Sequence, residues 1–336
     1  MNIIVLLWGA LGDMLVATPA LRALRERHRD ARITFVTNAI MPQIAPEGTL
    51  ADEIIICTPE ELASVAFTMR LGRRLARVRA DLAINLRYTS ERSALLTWLS
   101  RARSRVGAGP RSWMWCYNRP LAYPRSHYNE LFRYRDMMEA IDIPVTDLKP
   151  FVYVSADHSS IAAETLAARQ MAPGSYVCMH PGASKPYRAW LPERYAEIGR
   201  RIVQQHGSPV LVTWADHEKE IAERVVREIG AGASLAPRTP SIGHLAALFA
   251  QSMMVICNNS GAMHVAVAAD APVVALTGAT ELEDWAPVGD KHRSVKSPLG
   301  GLPDSPESER RIMDALPVET VWDAVHTRMN ELRGAR

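Results

Sequence analysis

No apolar run in this chain of 336 residues reaches the roughly 18–20 residues that a membrane-spanning helix needs. The early candidate, Ile3–Leu11, is cut off by Gly12-Asp13 and lacks the basic leader and small-residue cleavage site of a signal peptide, so a cytosolic chain is expected. Cysteine is scarce as well. Cys57, Cys116, Cys178 and Cys257 lie far apart with no C-x-x-C pair, which argues against a disulfide frame or a zinc site and leaves reduced, buried thiols. Neither G-x-G-x-x-G nor G-x-x-x-x-G-K-[ST] occurs, which disfavours a nicotinamide oxidoreductase and a P-loop enzyme. There is no low-complexity tract and no internal repeat.

What is present is globular in character. Hydrophobic residues make up 48% and charged residues 22%, which excludes disordered and fibrous classes. The length suggests two domains of about 150 residues each. Charge divides unevenly between them: residues 1–150 hold 21 Lys+Arg against 15 Asp+Glu, a net +6, and the remainder is at −3. The basic half carries Arg70, Arg73, Arg74, Arg77 and Arg79, then Arg87, Arg92, Arg101, Arg103, Arg105, Arg111, Arg119 and Arg125. Such a field attracts phosphorylated substrates, nucleic acid or an anionic membrane. For Arg70–Arg79 a solvated helix face is the simpler expectation. No nucleic-acid reading module accompanies these arginines.

Strand and helix signals alternate along the whole chain. The run Asn2–Trp8 reads as a central parallel strand, followed by a turn at Gly9–Asp13 and a helix over Leu15–His28. Strands are expected at Ile33–Thr37, Ile54–Cys57 and Leu82–Leu86, with helices at Glu60–Val78 and Ser90–Arg101. In the second half the expected strands are Tyr176–His180, Pro209–Thr213, Met253–Cys257 and Pro272–Leu276. Helical stretches there cover Glu193–Gln205, His217–Ile229, Ile242–Gln251, Ala262–Ala269 and Val318–Leu332. This rhythm predicts an α/β chain of two Rossmann-like domains facing each other across a cleft. The expected divisions are 1–148, 149–317 and a terminal helix, 318–336, that returns to the first domain; Pro144–Pro150 reads as the linker.

Ligands of open α/β sheets bind beyond the carboxyl ends of the strands, and four such ends carry unusual polar residues. The first is Gly9-Ala10-Leu11-Gly12-Asp13, where Asp13 is either a helix cap or a general base. The second, His180-Pro181-Gly182-Ala183-Ser184 with Lys185, Arg188 and Trp190, is a phosphate seat or a turn with surface charges. At the third, Asn258-Asn259-Ser260-Gly261-Ala262-Met263-His264, backbone N–H groups at a helix start suit an anion, or Asn and Ser merely cap. His264 there faces a ligand or is buried. The fourth, Thr213–Glu218, offers Glu218 as a ribose acceptor or an ordinary first-turn glutamate.

Together these motifs resemble glycosyltransferase family nine, the ADP-heptose:lipopolysaccharide heptosyltransferases. The resemblance runs from Ile3 to the terminal helix. It is carried by G-x-L-G-D with Thr18-Pro19-Ala20-Leu21, by the H-P-G-A element, by Arg188–Trp190 as [KR]-x-W, by Ser241-Ile242 with Leu245–Leu248, and by Ser260–His264 as S-G-x-x-H. It implies a GT-B type, inverting, metal-independent transferase that moves a heptose or related sugar from an ADP-sugar to a lipopolysaccharide inner-core acceptor. Asp13 then matches the catalytic base. Ser184, Lys185, Arg188, Glu218, Asn259, Ser260, Gly261 and His264 fall at donor-binding positions, and Gly12, Arg87, Arg92 and Arg111 serve an anionic acceptor of the lipid A–Kdo type. The chain departs from the family pattern at Asn259, where Asp is usual, and at Trp8, where a basic residue is common. A neutral amide still bonds hydroxyls and repels a diphosphate less, but it cannot act as a base.

The chemistry is coherent in its own terms. An acceptor hydroxyl needs a base as it attacks the anomeric carbon, and the departing diphosphate needs charge stabilisation. No D-x-D occurs, so no metal-bridged donor is expected, and no other cofactor. Trp113-Met114-Trp115-Cys116-Tyr117, between Arg111 and Arg119, suits peripheral contact with the cytoplasmic face of an inner membrane or belongs to the core. Alternatives are the same fold with a different nucleotide-sugar, a protein or small-molecule acceptor, or a non-catalytic relative that only binds nucleotide-sugar.

Overall fold

The computed structural model describes residues 1–122, 128–301 and 303–334; Arg125 of the basic series lies outside them. The chain divides into two compact units, Met1–Tyr153 and Val154–Arg336. In the first, strands β1 (Asn2–Leu6), β2 (Arg32–Thr37), β3 (Glu53–Ile56), β4 (Leu82–Asn85), β5 (Ser104–Gly107) and β6 (Arg119–Pro120) form a parallel sheet in the order β3-β2-β1-β4-β5-β6. Its helices are α1 (Leu11–Val16), α2 (Thr18–Arg27), α3 (Met41–Ile44), α4 (Pro59–Ala63), α5 (Val65–Arg77), α6 (Glu91–Leu99) and α7 (Glu130–Glu139), with a 3-10 turn over Arg111–Cys116.

The second unit opens with α8 (Ala156–Ala167) and builds β7 (Val177–His180), β8 (Val210–Val212), β9 (Ala233–Leu235), β10 (Met254–Asn258), β11 (Val273–Thr277) and β12 (Arg293–Lys296) into a parallel sheet ordered β12-β11-β10-β7-β8-β9. Helices α9 (Pro192–His206), α10 (Lys219–Ile229), α11 (Ile242–Ala250), α12 (Gly261–Ala268), α13 (Leu282–Trp285), α14 (Pro306–Asp314) and α15 (Val318–Gly334) complete it. Each unit is Rossmann-like. The first strand of each sheet is central, and the winding reverses beside it, between β1 and β4 in one sheet and β7 and β10 in the other. Those two reversals are the topological switch points at which such sheets bind ligands. Register fixes what meets there: Leu6 lies beside Asn85, and Cys257 beside His180.

The strands that flank the switch points are buried on both faces, as their continuous apolar sequences require. All four cysteines are buried and free, and burial pushes the Cys57 and Cys116 thiols up to about 11. Two expected helices are broken. Leu15–His28 divides because Pro19 has no N–H for the Leu15 carbonyl, which takes the Thr18 hydroxyl instead at 2.6 Å. Glu60–Val78 divides at Ser64, whose side chain caps α5 through the Phe67 N–H at 3.3 Å.

The first unit runs to Tyr153 rather than 148, because Phe151 N donates to Thr18 Oγ1 and Tyr153 N to the Ile44 carbonyl. Helix α15 falls within the second unit and packs on α9, β11 and β12. Its apolar face of Val321, Trp322, Val325 and Met329, spaced by helical turns, joins that unit's core.

Candidate active site

In the first unit the site is built at the end of β1. The chain leaves Leu6, turns through Gly9 and enters α1 at Leu11, which puts Asp13 in the third helical position. Asp13 Oδ2 accepts the Ala10 N–H at 2.7 Å, and Asn38 Nδ2 holds the turn through the Gly9 carbonyl at 2.7 Å. A Cβ on residue 9 would fall 2.7 Å from Asp13 Oδ2, so glycine is what lets the carboxylate fold back over the turn. The capping reading of Asp13 holds. One oxygen caps; the other, Oδ1, lies 3.9 Å from Arg87 Nη1, which arrives from the end of β4 across the switch point.

A buried polar cluster around one carboxylate lies near this pair, and sequence reasoning missed it. Glu130, at the start of α7, accepts the Tyr88 hydroxyl at 3.0 Å and Arg133 Nη1 at 2.9 Å. Burial pushes the Glu130 carboxyl up, against the pull of Tyr88 and Arg133, while the negative charge of nearby Asp13 pushes it the same way as burial. Of the other expected acceptor residues, Arg92 donates to Thr68 Oγ1 and the Ala63 carbonyl, Arg111 is exposed on the 3-10 turn, and Gly12 is buried within α1. The structure thus brings Asp13 and Arg87 together and does not gather Arg92 or Arg111 with them.

The second unit assembles its motifs around β7 and β10. Asn258, the last residue of β10, donates from Nδ2 to the Pro181 and Gly182 carbonyls at 2.8 and 2.9 Å, and its Oδ1 accepts the Trp190 N–H at 3.0 Å. One buried amide thereby ties both ends of the β7–α9 loop to the strand end. Beneath Gly182 lies Glu218, only 4% exposed; a Cβ on residue 182 would sit 2.0 Å from its Cδ. His180 Nε2 meets Glu218 Oε2 at 3.1 Å, the Ala215 N–H reaches that oxygen at 2.9 Å, and His180 Nδ1 lies 3.0 Å from Thr213 Oγ1. Burial alone would raise the Glu218 carboxyl; the hydrogen bond and charge of His180, the Ala215 N–H and His217 outweigh it and hold the group below the usual glutamate range. Glu218 in this structure braces the loop.

Ser184 and Lys185 are exposed on that loop, and Arg188 is paired side-on with Glu309 of α14, Nη2 to Oε1 at 2.9 Å. Glu309, held below its usual range by the guanidinium, is a second residue the sequence reading did not single out. Arg188, Glu309, Asn259, Gly278, Ala279 and Thr280 line one small cavity. Asn259 donates its backbone N–H to the Leu276 carbonyl at 2.8 Å, while its buried Nδ2 has no partner among the described residues. Ser260 and Gly261 open α12, and His264 one turn later is buried edge-on against Trp285 at 5.7 Å. Burial pushes His264 down to about 4, so it is neutral at pH 7 and offers a hydrogen bond rather than a charge. Among the described residues no group of three or more His, Cys, Asp or Glu is placed to hold a metal ion.

Two Rossmann-like units, each with polar residues gathered at its switch point, are the layout of a GT-B glycosyltransferase. Residues 68–311 match glycosyltransferase family 9 (heptosyltransferase), and the chain belongs to that family. It is 26% identical over 311 residues to lipopolysaccharide heptosyltransferase 2 of Salmonella typhimurium, covering 88% of each chain. In structure it is similar to a glycosyl transferase family 9 protein of Veillonella parvula, at a TM-score of 0.83 and 21% identity, over 98% of this chain and 97% of that one. It is also similar to the ADP-heptose lps heptosyltransferase II of E. coli, at 0.73 and 21%, over 98% and 99%. The fold is GT-B, and the protein is a glycosyltransferase.

Proposed function

We propose that this enzyme transfers a heptose from an ADP-sugar to the inner core of lipopolysaccharide with inversion at the anomeric carbon. The reading rests chiefly on Asp13, which keeps one oxygen on the Ala10 N–H and leaves the other beside Arg87 at a switch point. Asp13 Oδ1 takes the proton of the acceptor hydroxyl as its oxygen attacks. The new C–O bond forms as the bond from the anomeric carbon to the diphosphate breaks, and ADP leaves with the electron pair. The N–H groups that open α12, Lys185 and Arg188 meet its charge, in place of a divalent cation. Asn259, Ser184 and His264 supply uncharged contacts, and Glu218 fixes the loop that carries Ser184. Arg87 and the basic first half suit an acceptor of the lipid A–Kdo type. The buried free thiols fit a reducing compartment, and we place the reaction on the cytoplasmic side of the inner membrane.

The unpartnered Nδ2 of Asn259 beside Arg188 favours a second reading, in which the same chemistry uses a different nucleotide-sugar. A mass-spectrometric screen of ADP-, UDP- and GDP-sugars, run in EDTA, separates the two. With the preferred donor, Asp13→Asn is expected to lower turnover by about 10²–10⁴-fold and to leave ADP affinity by calorimetry unchanged. Unaltered turnover would remove Asp13 as the base.

A further inference from the structure

The face of the first unit formed by α5, α6 and the 3-10 turn has a composition that a surface in plain water does not need. Val65 is 70% exposed, Met69 39%, Trp98 44% and Trp115 56%. The tryptophans are one patch: Trp98 meets Trp115 edge-on with centroids 5.5 Å apart, and Trp115 stacks on Trp113 at 6.3 Å. Beside Trp98, α5 and the end of α6 enclose a groove of about 330 Å³, with Met69, Ala76 and Leu99 along it and Arg73, Arg77 and Arg101 on its rim. Apolar side chains here are not scattered singly but joined across three elements.

Positive charge dominates this face. Helices α5 and α6 and the 3-10 turn hold six arginines against one carboxylate, Glu91 at the start of α6. Arg74 reaches Glu53 at 2.9 Å, whereas Arg70, Arg73, Arg77, Arg101 and Arg111 form no ion pair among the described residues. An extended surface that accepts fixed cations and apolar rings side by side is the boundary of an anionic bilayer. Guanidinium groups bind lipid phosphates in forked geometry, and tryptophan settles at headgroup depth. A nucleic-acid backbone would satisfy the arginines but would leave Val65, Met69 and the Trp98–Trp115 edge in water.

We propose that this face is a docking surface for an anionic phospholipid bilayer, with Trp98 and Trp115 at the interface and Arg70, Arg73 and Arg77 on lipid phosphates. It deepens the reading above, in which the acceptor is a glycolipid, by saying how the enzyme meets the surface that holds it. Among the described residues no helix is long and apolar enough to cross a membrane, so attachment through this face is peripheral.

The test is sedimentation of the full chain with vesicles of phosphatidylcholine alone and of phosphatidylcholine with phosphatidylglycerol. Partitioning is expected to be at least about tenfold stronger on the anionic vesicles and to fall with salt. Replacing Arg70, Arg73 and Arg77 together by Gln should weaken it by about fivefold per arginine, with the thermal melt unchanged. Trp98→Ser with Trp115→Ser should weaken binding and leave its salt dependence in place. Equal partitioning on both vesicles, wild-type binding by the arginine variant, or tighter binding to RNA than to vesicles would each overturn the proposal. The readout needs no turnover. A chain that transfers sugar to a detergent-free, short-chain acceptor but ignores vesicles refutes the docking surface alone. A chain that binds vesicles without transferring sugar refutes the functional reading alone.

Discussion

Glu218 shows how much one buried carboxylate decides. It is surrounded by His180, the Ala215 N–H and the space that Gly182 leaves open, and it is held ionised despite burial. A carboxyl whose folded value lies below its unfolded one contributes stability above the unfolded value, near 4.3 for glutamate, and loses it as pH falls through the folded value. Glu218→Gln is therefore expected to cost about 1–3 kcal/mol at pH 7, where a buried donor loses its charged partner. The gap between variant and wild type should narrow on acidification to pH 4. Urea unfolding at the two pH values measures it, and a gap that widens in acid would contradict the pairing.

At the scale of elements, α14 supplies a carboxylate to the cation of the loop after β7. Arg188 is held side-on by Glu309, while Arg310 of the same helix reaches back to the Ala189 carbonyl at 2.8 Å. A diphosphate that uses Arg188 must displace that carboxylate or share it. Glu309→Gln is accordingly expected to tighten ADP binding about two- to fivefold, more at low salt, since a partly exposed ion pair contributes at most about 1 kcal/mol. Calorimetry decides it; weaker binding would mean that Glu309 orients Arg188 instead of competing for it.

Elements were legible in the sequence where the physics is local. β1, β7 and β10 are continuous apolar runs that end in glycine, asparagine or histidine, so both the strands and the turns after them stood out. β9, β12 and the two-residue β6 are edges, at most half-buried, with no such run, and α14 buries only Ile312 and Met313. The same limit hid Glu309, which meets Arg188 from 121 positions away, and Glu130, whose setting near Asp13 exists only once β4 and α7 are in place. Asn258 and Asn259 are adjacent and alike on paper. The chain makes the first a clamp on both ends of one loop and leaves the second with an unused amide.

Over the whole molecule, the two units repeat one winding and differ in what they carry: a net positive first half with its arginine face, and a second half whose core includes its own terminal helix. Met329 is fully buried in that core on α15. Met329→Ala should lower stability by about 2–5 kcal/mol, seen as a lower urea midpoint. An unchanged midpoint would take the terminal helix out of the second unit's core.

Because α15 stays with the sheet it follows, each unit is one uninterrupted length of polypeptide, joined to the other at the single step from Tyr153 to Val154. A chain so arranged can exchange partners by one splice. Relatives that select other acceptors or other activated sugars could trade halves at that junction, and new pairings of the two selectivities would need no second cut.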